Sequence, residues 1–348
     1  MLARLICRAA TVATLAACNG NQPAPRTPLV DSAPVSESDG AGRLVRELEL
    51  EVIASYQRVS IDAAAAAVVA AAGAIDPSVG LTVFGVGPDD VALRSAPDER
   101  WPVVDIAGRP IDVVSRRLEL SLSADRSVGW SYDEISLRLP MCGHVASIPL
   151  RVAQVYVRDS ERWTLVAEHA AYAQPMGRWL DAAKGPDGGR VTTAVEKQLE
   201  SEAAQDALRV ALDPDGDRAV WDGGPGGLAV WPDPLHVLRR GGARSGPTLA
   251  QSLGATAITV EGLRLALGPT RSVAIASAAL IARLPRLSEA DAIDVRLRGT
   301  FVIERVGEVW LVRFALVSTP ITTGALVGRT VGVAASLESG GRVTTSCR

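Results

Sequence analysis

Apolar residues at Leu44, Leu48, Val52 and Tyr56, with Val45 and Ile53 beside them, recur at helical spacing and predict a helix over Arg43–Val59. Asp62 is a good N-cap for the alanine-rich run Ala63–Ala72, and Gly73 is placed to stop it, so a second helix is expected there. A third helix is expected to open on Thr193-Ala-Val-Glu196, a capping-box pattern, and to run to about Val210. The rest reads as strands. Leu81–Val86 and Leu228–Trp231 are short apolar runs, and Leu118–Leu122 and Leu263–Leu267 alternate with period two. Ser127–Leu139, Leu150–Arg158 and Arg162–Ala171 follow as longer strands. Helices first and antiparallel strands after predict an α+β fold.

The pattern occurs twice. Residues 118–140 match 263–285 at a spacing of 145, with 9 of 23 positions identical, including Arg126/Arg271, Val128/Val273 and Pro140/Pro285. At a spacing of 147, Arg151, Val155, Arg158, Glu161 and Trp163 return as Arg298, Val302, Arg305, Glu308 and Trp310. At a spacing of 151, Leu48, Glu49, Glu51, Arg58, Val59 and Asp62 return as Leu199, Glu200, Glu202, Arg209, Val210 and Asp213. Three blocks in one order predict two copies of one domain, over 43–175 and 192–322, with a linker at 176–191 and a tail at 323–348. The unit is too long for a solenoid, whose period is roughly 20–50 residues. In the second copy, Asp213-Pro-Asp-Gly-Asp217 and Gly223-Gly-Pro-Gly-Gly227 stand where the Ala-rich helix should be, so that copy is expected to lack it.

The N-terminus changes the picture. Arg4 and Arg8 precede the apolar stretch Ala9–Ala17, which is too short to span a bilayer as a helix. It ends in Leu15-Ala16-Ala17-Cys18, which resembles the lipobox of bacterial lipoproteins; that resemblance implies a signal peptide at 1–18 and lipid on Cys18. An ordinary signal peptide with a chance cysteine is the other reading. Residues 19–42, with Pro23, Pro25, Pro28 and Pro34 among small polar residues, are expected to be a disordered tether. The expected location is therefore the cell envelope, on a bacterial membrane. Cys142 and Cys347 then remain as a possible disulfide in an oxidising compartment, or as two separate thiols. A net charge of −3 gives no footprint for nucleic acid. Only Lys184 and Lys197 among the 36 basic residues are lysines, a bias that reads as GC-rich coding rather than function.

Val83-Phe-Gly-Val-Gly-Pro-Asp-Asp-Val91, Ser127-Val-Gly-Trp-Ser-Tyr-Asp-Glu134 and Glu161-Arg-Trp-Thr-Leu-Val-Ala-Glu-His169 carry a family likeness. Together they make the first copy resemble the SnoaL-like family of the nuclear transport factor 2 superfamily. In the second copy the likeness rests mainly on 263–320, including Trp310-Leu-Val312. The resemblance implies two cone-shaped domains, each with helices packed on a curved antiparallel sheet around a pocket. Since the superfamily often dimerises, it also implies that the two copies pair through their sheets as an internal pseudo-dimer. Its members include isomerases, dehydratases, hydrolases and proteins that only bind, so the fold sets no reaction.

Strand alternation sends Val128, Trp130, Tyr132 and Glu134 to one face, and Gly129, Ser131, Asp133 and Ile135 to the other. His169 lies on the face of the closing strand opposite Glu168, and Tyr156 sits on the strand between. Trp130, Tyr132, Glu134, Tyr156 and His169 are therefore the candidate pocket, able to do acid–base work if burial tunes them, or simply core and lining. The second copy has Ile275, Ser277, Ala278 and Ala279 against Trp130, Tyr132, Asp133 and Glu134, and Leu316 against His169, as in a structural or apolar-ligand domain. Asp213, Asp215 and Asp217 have calcium-loop spacing, but Arg218 and Gly224 stand where glycine and a bidentate glutamate belong, so a turn is expected. His144 near Cys142 lacks a second ligand pair, and His236 falls in a Pro-rich loop, so neither metal nor cofactor is expected. The expected function is noncatalytic binding of a small apolar ligand or a protein partner. An envelope enzyme acting on a hydrophobic molecule with the first copy active, and a pure scaffold, are the alternatives.

Overall fold

The computed structural model describes residues 40–60, 81–84, 91–94, 112–141, 144–172, 191, 193–195, 199–216, 221, 227–232, 237–240, 248–285, 292–320, 335–337 and 343–345. The signal segment, the tether up to residue 39, the Ala63–Ala72 helix, His236, and all of Cys18, Cys142 and Cys347 lie outside them.

The N-terminal half opens with α1 (Gly40–Ser60), which starts three residues ahead of the expected Arg43. Strands β1 (Leu81–Phe84), β2 (Val91–Arg94), β3 (Asp112–Ser115), β4 (Glu119–Leu122), β5 (Val128–Met141), β6 (His144–Asp159) and β7 (Arg162–Ala171) follow. They form one seven-stranded sheet, in the order β2-β1-β7-β6-β5-β3 with β4 also on β5. The C-terminal half contains β8 (Ala194–Val195), α2 (Leu199–Leu212), β9 (Gly227–Val230), β10 (Val237–Arg240) and α3 (Leu249–Leu253). It continues with β11 (Ala257–Leu267), β12 (Val273–Leu284), β13 (Ile293–Val306) and β14 (Val309–Ser318). Its sheet is also seven-stranded, in the order β10-β9-β14-β13-β12-β11-β8. A small hairpin of β15 (Ala335–Leu337) and β16 (Val343–Thr345) stands apart from both sheets.

Helices on sheets make the arrangement α+β, but the sheets are not wholly antiparallel. β1 runs parallel to β7, β9 parallel to β14, and β8 parallel to β11. The first two pairs join strands far apart in the chain, and so much intervening chain lets a strand return in either direction.

The two halves match in detail that spacing alone does not reveal. The turn before the central strand puts Arg126 at φ 60° and Arg271 at φ 57°. In both turns this residue donates its N–H three residues back, Arg126 to Ser123 and Arg271 to Gly268, each at 2.9 Å. Both closing strands carry a bulge at the same place, with Val166 and Arg313 as the extra residues. Such a bulge increases the local twist and bends the strand.

Two expectations need correction. Thr193–Glu196 is not a helix cap, because Ala194 and Val195 pair with Arg264 and Leu265 as β8. A capping box does occur at Thr248, whose side chain accepts from Gln251 N–H ahead of the unforeseen α3. The helix block at a spacing of 151 is also misregistered. Leu48 is fully buried, whereas its identity match Leu199 is 82% exposed. Burial aligns the helices at 156 instead: Leu48, Val52, Ser55 and Tyr56 correspond to Ala204, Leu208, Ala211 and Leu212, all buried. Five residues is about 500° around a helix, or a net turn of about 140°, so the identities fall on the wrong face. Contact with the sheet, not identity, decides the register.

The corrected register explains a glycine. A Cβ on Gly129 would stand 2.7 Å from Leu48 Cδ2, so the large helix residue needs the bare strand position. In the C-terminal half the partners are Ala204 and Ala274, and the volume is shared. Gly129→Ala should therefore destabilise the protein by about 1–3 kcal/mol through overpacking, and Gly129→Ala with Leu48→Ala should couple favourably in a double-mutant cycle read by denaturant unfolding. Arg271→Val should cost about 1–2 kcal/mol in the same assay, because a left-handed backbone is worst for a β-branched side chain.

Candidate functional site

Each sheet has one face under its helix and one face turned outward. The outward faces meet. Val128, Trp130, Tyr132, Val155 and Val166 of the first half form one buried cluster with Val230, Ile275, Val302, Phe314 and Leu316 of the second. Polar groups close this joint. His169 is fully buried, with Nδ1 3.2 Å from Thr300 Oγ1 and Nε2 2.8 Å from Ser318 Oγ. Arg151 Nη1 donates to the Trp231 carbonyl at 3.0 Å. The Ala124 N–H donates to Glu304 Oε1 at 2.6 Å, and Glu304 pairs with Arg313 at 3.1 Å.

At the turn carrying Arg126, Asp125 accepts hydrogen bonds from Thr270 and Ser272 of the matching turn. Partial burial works against its charge. The hydroxyls of Ser123, Ser272 and Thr270 and the Ser127 N–H outweigh this and hold its carboxyl well below the usual range. Burial, with Arg298 adding to it, pushes the His169 imidazole down to about 3.

The candidate pocket residues therefore do not converge on a pocket. Trp130 and Tyr132 are core of the joint, Tyr132 donates to Glu134 at 3.1 Å, and His169 bonds across to the other half. Tyr156 is on the opposite, helix-bearing face. Alternation separates two faces but does not say which one the helix covers, and the aromatic face proves to be the one that docks.

The helix-bearing face of the first half holds a polar cluster that was not singled out. Gln154 donates to Glu168 Oε2 at 2.7 Å and to Ser55 Oγ at 2.9 Å, and the Tyr156 hydroxyl donates to Gln154 Oε1 at 2.8 Å. Asp133 Oδ1 accepts from the Arg117 N–H at 3.0 Å. Burial pushes the Asp133 carboxyl up, against the Ser115 hydroxyl, the Arg117 and Arg116 N–H groups and the Tyr56 hydroxyl, which favour its charge. Burial and then the Asp133 charge push the Tyr56 phenol well above its ordinary value. The corresponding positions in the second half are Ala211, Leu212, Ala278, Phe301, Ile303 and Ala315, an apolar interior. The signal for this cluster was the parity that set Asp133 and Glu168 against Trp130 and His169.

The second half offers space instead. A cleft of about 630 Å³ opens between the end of α2 and β11. Leu208, Leu212, Ile258, Val260 and Leu263 line it, with Gln205, Arg209 and Thr259 at hand. Asp213 and Asp215, also on its wall, form the expected turn: Asp213 Oδ1 accepts from the Asp215 N–H at 2.9 Å. Among the described residues no group of three or more His, Cys, Asp or Glu could hold a metal ion, and no helix is long and apolar enough to cross a membrane.

No protein-family model matches the chain, and no curated protein matches it in sequence. Solved structures similar to parts of it are NTF2-like proteins. One from Streptomyces avermitilis is 12% identical, with 38% of this chain and 99% of that chain covered and a TM-score of 0.32. One from Salmonella enterica serovar Typhimurium is 9% identical, covering 43% and 99%, with a TM-score of 0.32. One from Prochlorococcus is 12% identical, covering 34% and 92%, with a TM-score of 0.25. These scores are below the level at which a shared fold follows.

The raised Asp133 carboxyl has a consequence for stability. Folding disfavours its charged form, so stability is lost as pH rises through its ordinary range and beyond. Asp133→Asn keeps the acceptor for Arg117 without the charge. The variant should melt higher than wild type at neutral pH, with the gap closing towards about pH 3 in calorimetry.

Proposed function

We propose that this chain is a lipid-anchored protein of the bacterial cell envelope, made of two SnoaL-like units that dock on each other as an internal pseudo-dimer. Cys18 carries the lipid and the segment after it is the tether. Its role is noncatalytic: it binds a small apolar ligand in the cleft between α2 and β11.

The cleft carries this reading. Its volume of about 630 Å³ lies within the roughly 300–1,000 Å³ of small-molecule sites, and Leu208, Leu212, Ile258, Val260 and Leu263 give it an apolar stripe among the polar side chains of Thr193, Gln205, Arg209, Asp213, Asp215, Thr256 and Thr259. The loss of polar interior groups in the same half fits an apolar ligand. The engagement of Tyr132 and His169 in the joint removes the residues that an acid–base enzyme would have used.

A second reading, an isomerase, dehydratase or hydrolase acting in the N-terminal half, is favoured by one observation. Asp133, held towards its protonated form against the Tyr56 hydroxyl, has the character of a general acid.

Native mass spectrometry of the full chain as purified should reveal a co-purifying apolar molecule. Anilinonaphthalene sulfonate should compete with it. Ile258→Arg should weaken probe binding at least about tenfold, the equivalent of about 1.4 kcal/mol, while the melting temperature changes little. Unchanged probe binding in Ile258→Arg would remove the cleft from the proposal. Labelled fatty acid should be incorporated by the wild type and not by Cys18→Ala; equal labelling of both would sink the anchor.

A further inference from the structure

His169 joins the two halves from a place where a charge is hard to hold. Its own strand contributes Ala167 and Ala171 to the joint. From β1, Phe84 meets the imidazole edge-on at 5.2 Å. From β6 come Ala153, directly opposite, and the Arg151 guanidinium, which reaches across to Trp231. From β13 come Thr300 and Arg298, the latter 5.8 Å above the Phe84 ring. From β14 come Leu316 and Ser318.

Of the charges on these strands, the one that acts on the imidazole is Arg298, and it is positive. Among the described residues the carboxylates on this face stand further off. Glu134 sits opposite Arg151, and Glu304 is four residues beyond Thr300 and paired with Arg313. Glu168 belongs to the helix-bearing side, where it accepts from Gln154.

The hydrogen-bond partners do not select a charge state. Threonine and serine hydroxyls can donate to a neutral imidazole or accept from a protonated one. They offer an imidazolium none of the compensation that a carboxylate would. The cost of protonation is the removal of a cation from water, with the Arg298 guanidinium adding to it.

We propose that the joint is an acid-sensitive latch: protonation of His169 undocks the two sheets while the core under each helix stays folded. The undocked imidazole regains solvent and an ordinary value near 6.5, whereas the docked one is held down to about 3. The undocked form therefore binds the proton anywhere between these values. Docking weakens as pH falls through that window, by about tenfold in the equilibrium for each pH unit. Each helix-side core is a separate apolar cluster from the joint, which is why one can part while the others hold.

The test is small-angle scattering and circular dichroism of the full chain between about pH 7 and pH 3.5, a range set by the two values above. The wild type should expand in acid while keeping its secondary structure, and His169→Gln should expand at a pH at least about one unit lower. Three outcomes overturn the proposal: a wild type still compact at the acid end, expansion and loss of secondary structure at one shared midpoint, or the same expansion pH in His169→Gln. Should that variant fail to fold, the wild-type imidazole read by NMR decides. Proton uptake that coincides with expansion supports the latch, and uptake while the chain stays compact overturns it.

Discussion

Burial of one sheet's outer face against the other's is the constraint on which the rest of the molecule depends. A helix can cover one side of a sheet. The other side must be polar or must find a cover of its own. Here it carries Trp130, Tyr132 and Val155 in one half and Ile275, Phe314 and Leu316 in the other, all buried against each other. Fully burying each large side chain contributes about 1.5–3 kcal/mol, so the halves gain more by meeting than by standing apart. The polar groups at the seam follow from this. Once Arg151, His169 and Glu304 are enclosed, each must find a partner, and those that are found lie across the seam or beside it.

The joint also allocates chemistry. An aromatic and a histidine that would suit an active site are used up as fasteners, because they stand on the docking face. What remains differs between the halves. The first keeps a buried polar network of Tyr56, Asp133, Gln154, Tyr156 and Glu168. The second fills those positions with alanine, leucine, isoleucine and phenylalanine, and opens a cleft beside its helix. The two interiors differ in complementary pairs, as Gly129 with Leu48 against Ala274 with Ala204 shows.

Much of this was legible in the residues. Period-two alternation located β4, the strand readings at Ser127–Leu139 and Arg162–Ala171 located β5 and β7 within a few residues of their ends, and helical spacing located α1. The repeated Arg126 and Arg271 prove to sit at the same turn in both halves. Other readings failed where two answers have equal local support. Thr193–Glu196 has the pattern of a helix start, but Ala194 and Val195 find strand partners on β11. The identities around Leu199 align well in sequence and badly in space, since five residues is not a whole number of helical turns. The candidate pocket failed through the choice of face: Trp130, Tyr132 and His169 share a side as expected, and that side is the joint.

The sequence by itself determined what is local and periodic. It settled which residues alternate and where turns fall, because strand and helix geometry impose those periods, and residue identities showed that a pattern occurs twice. Only the tertiary structure decided which face of each sheet lies under its helix and which meets the other half. That choice depends on surfaces far apart in the chain, and no periodicity distinguishes two faces that are both apolar enough to be buried. The same choice made His169 a latch between halves and left Asp133 and Glu168 inside one of them.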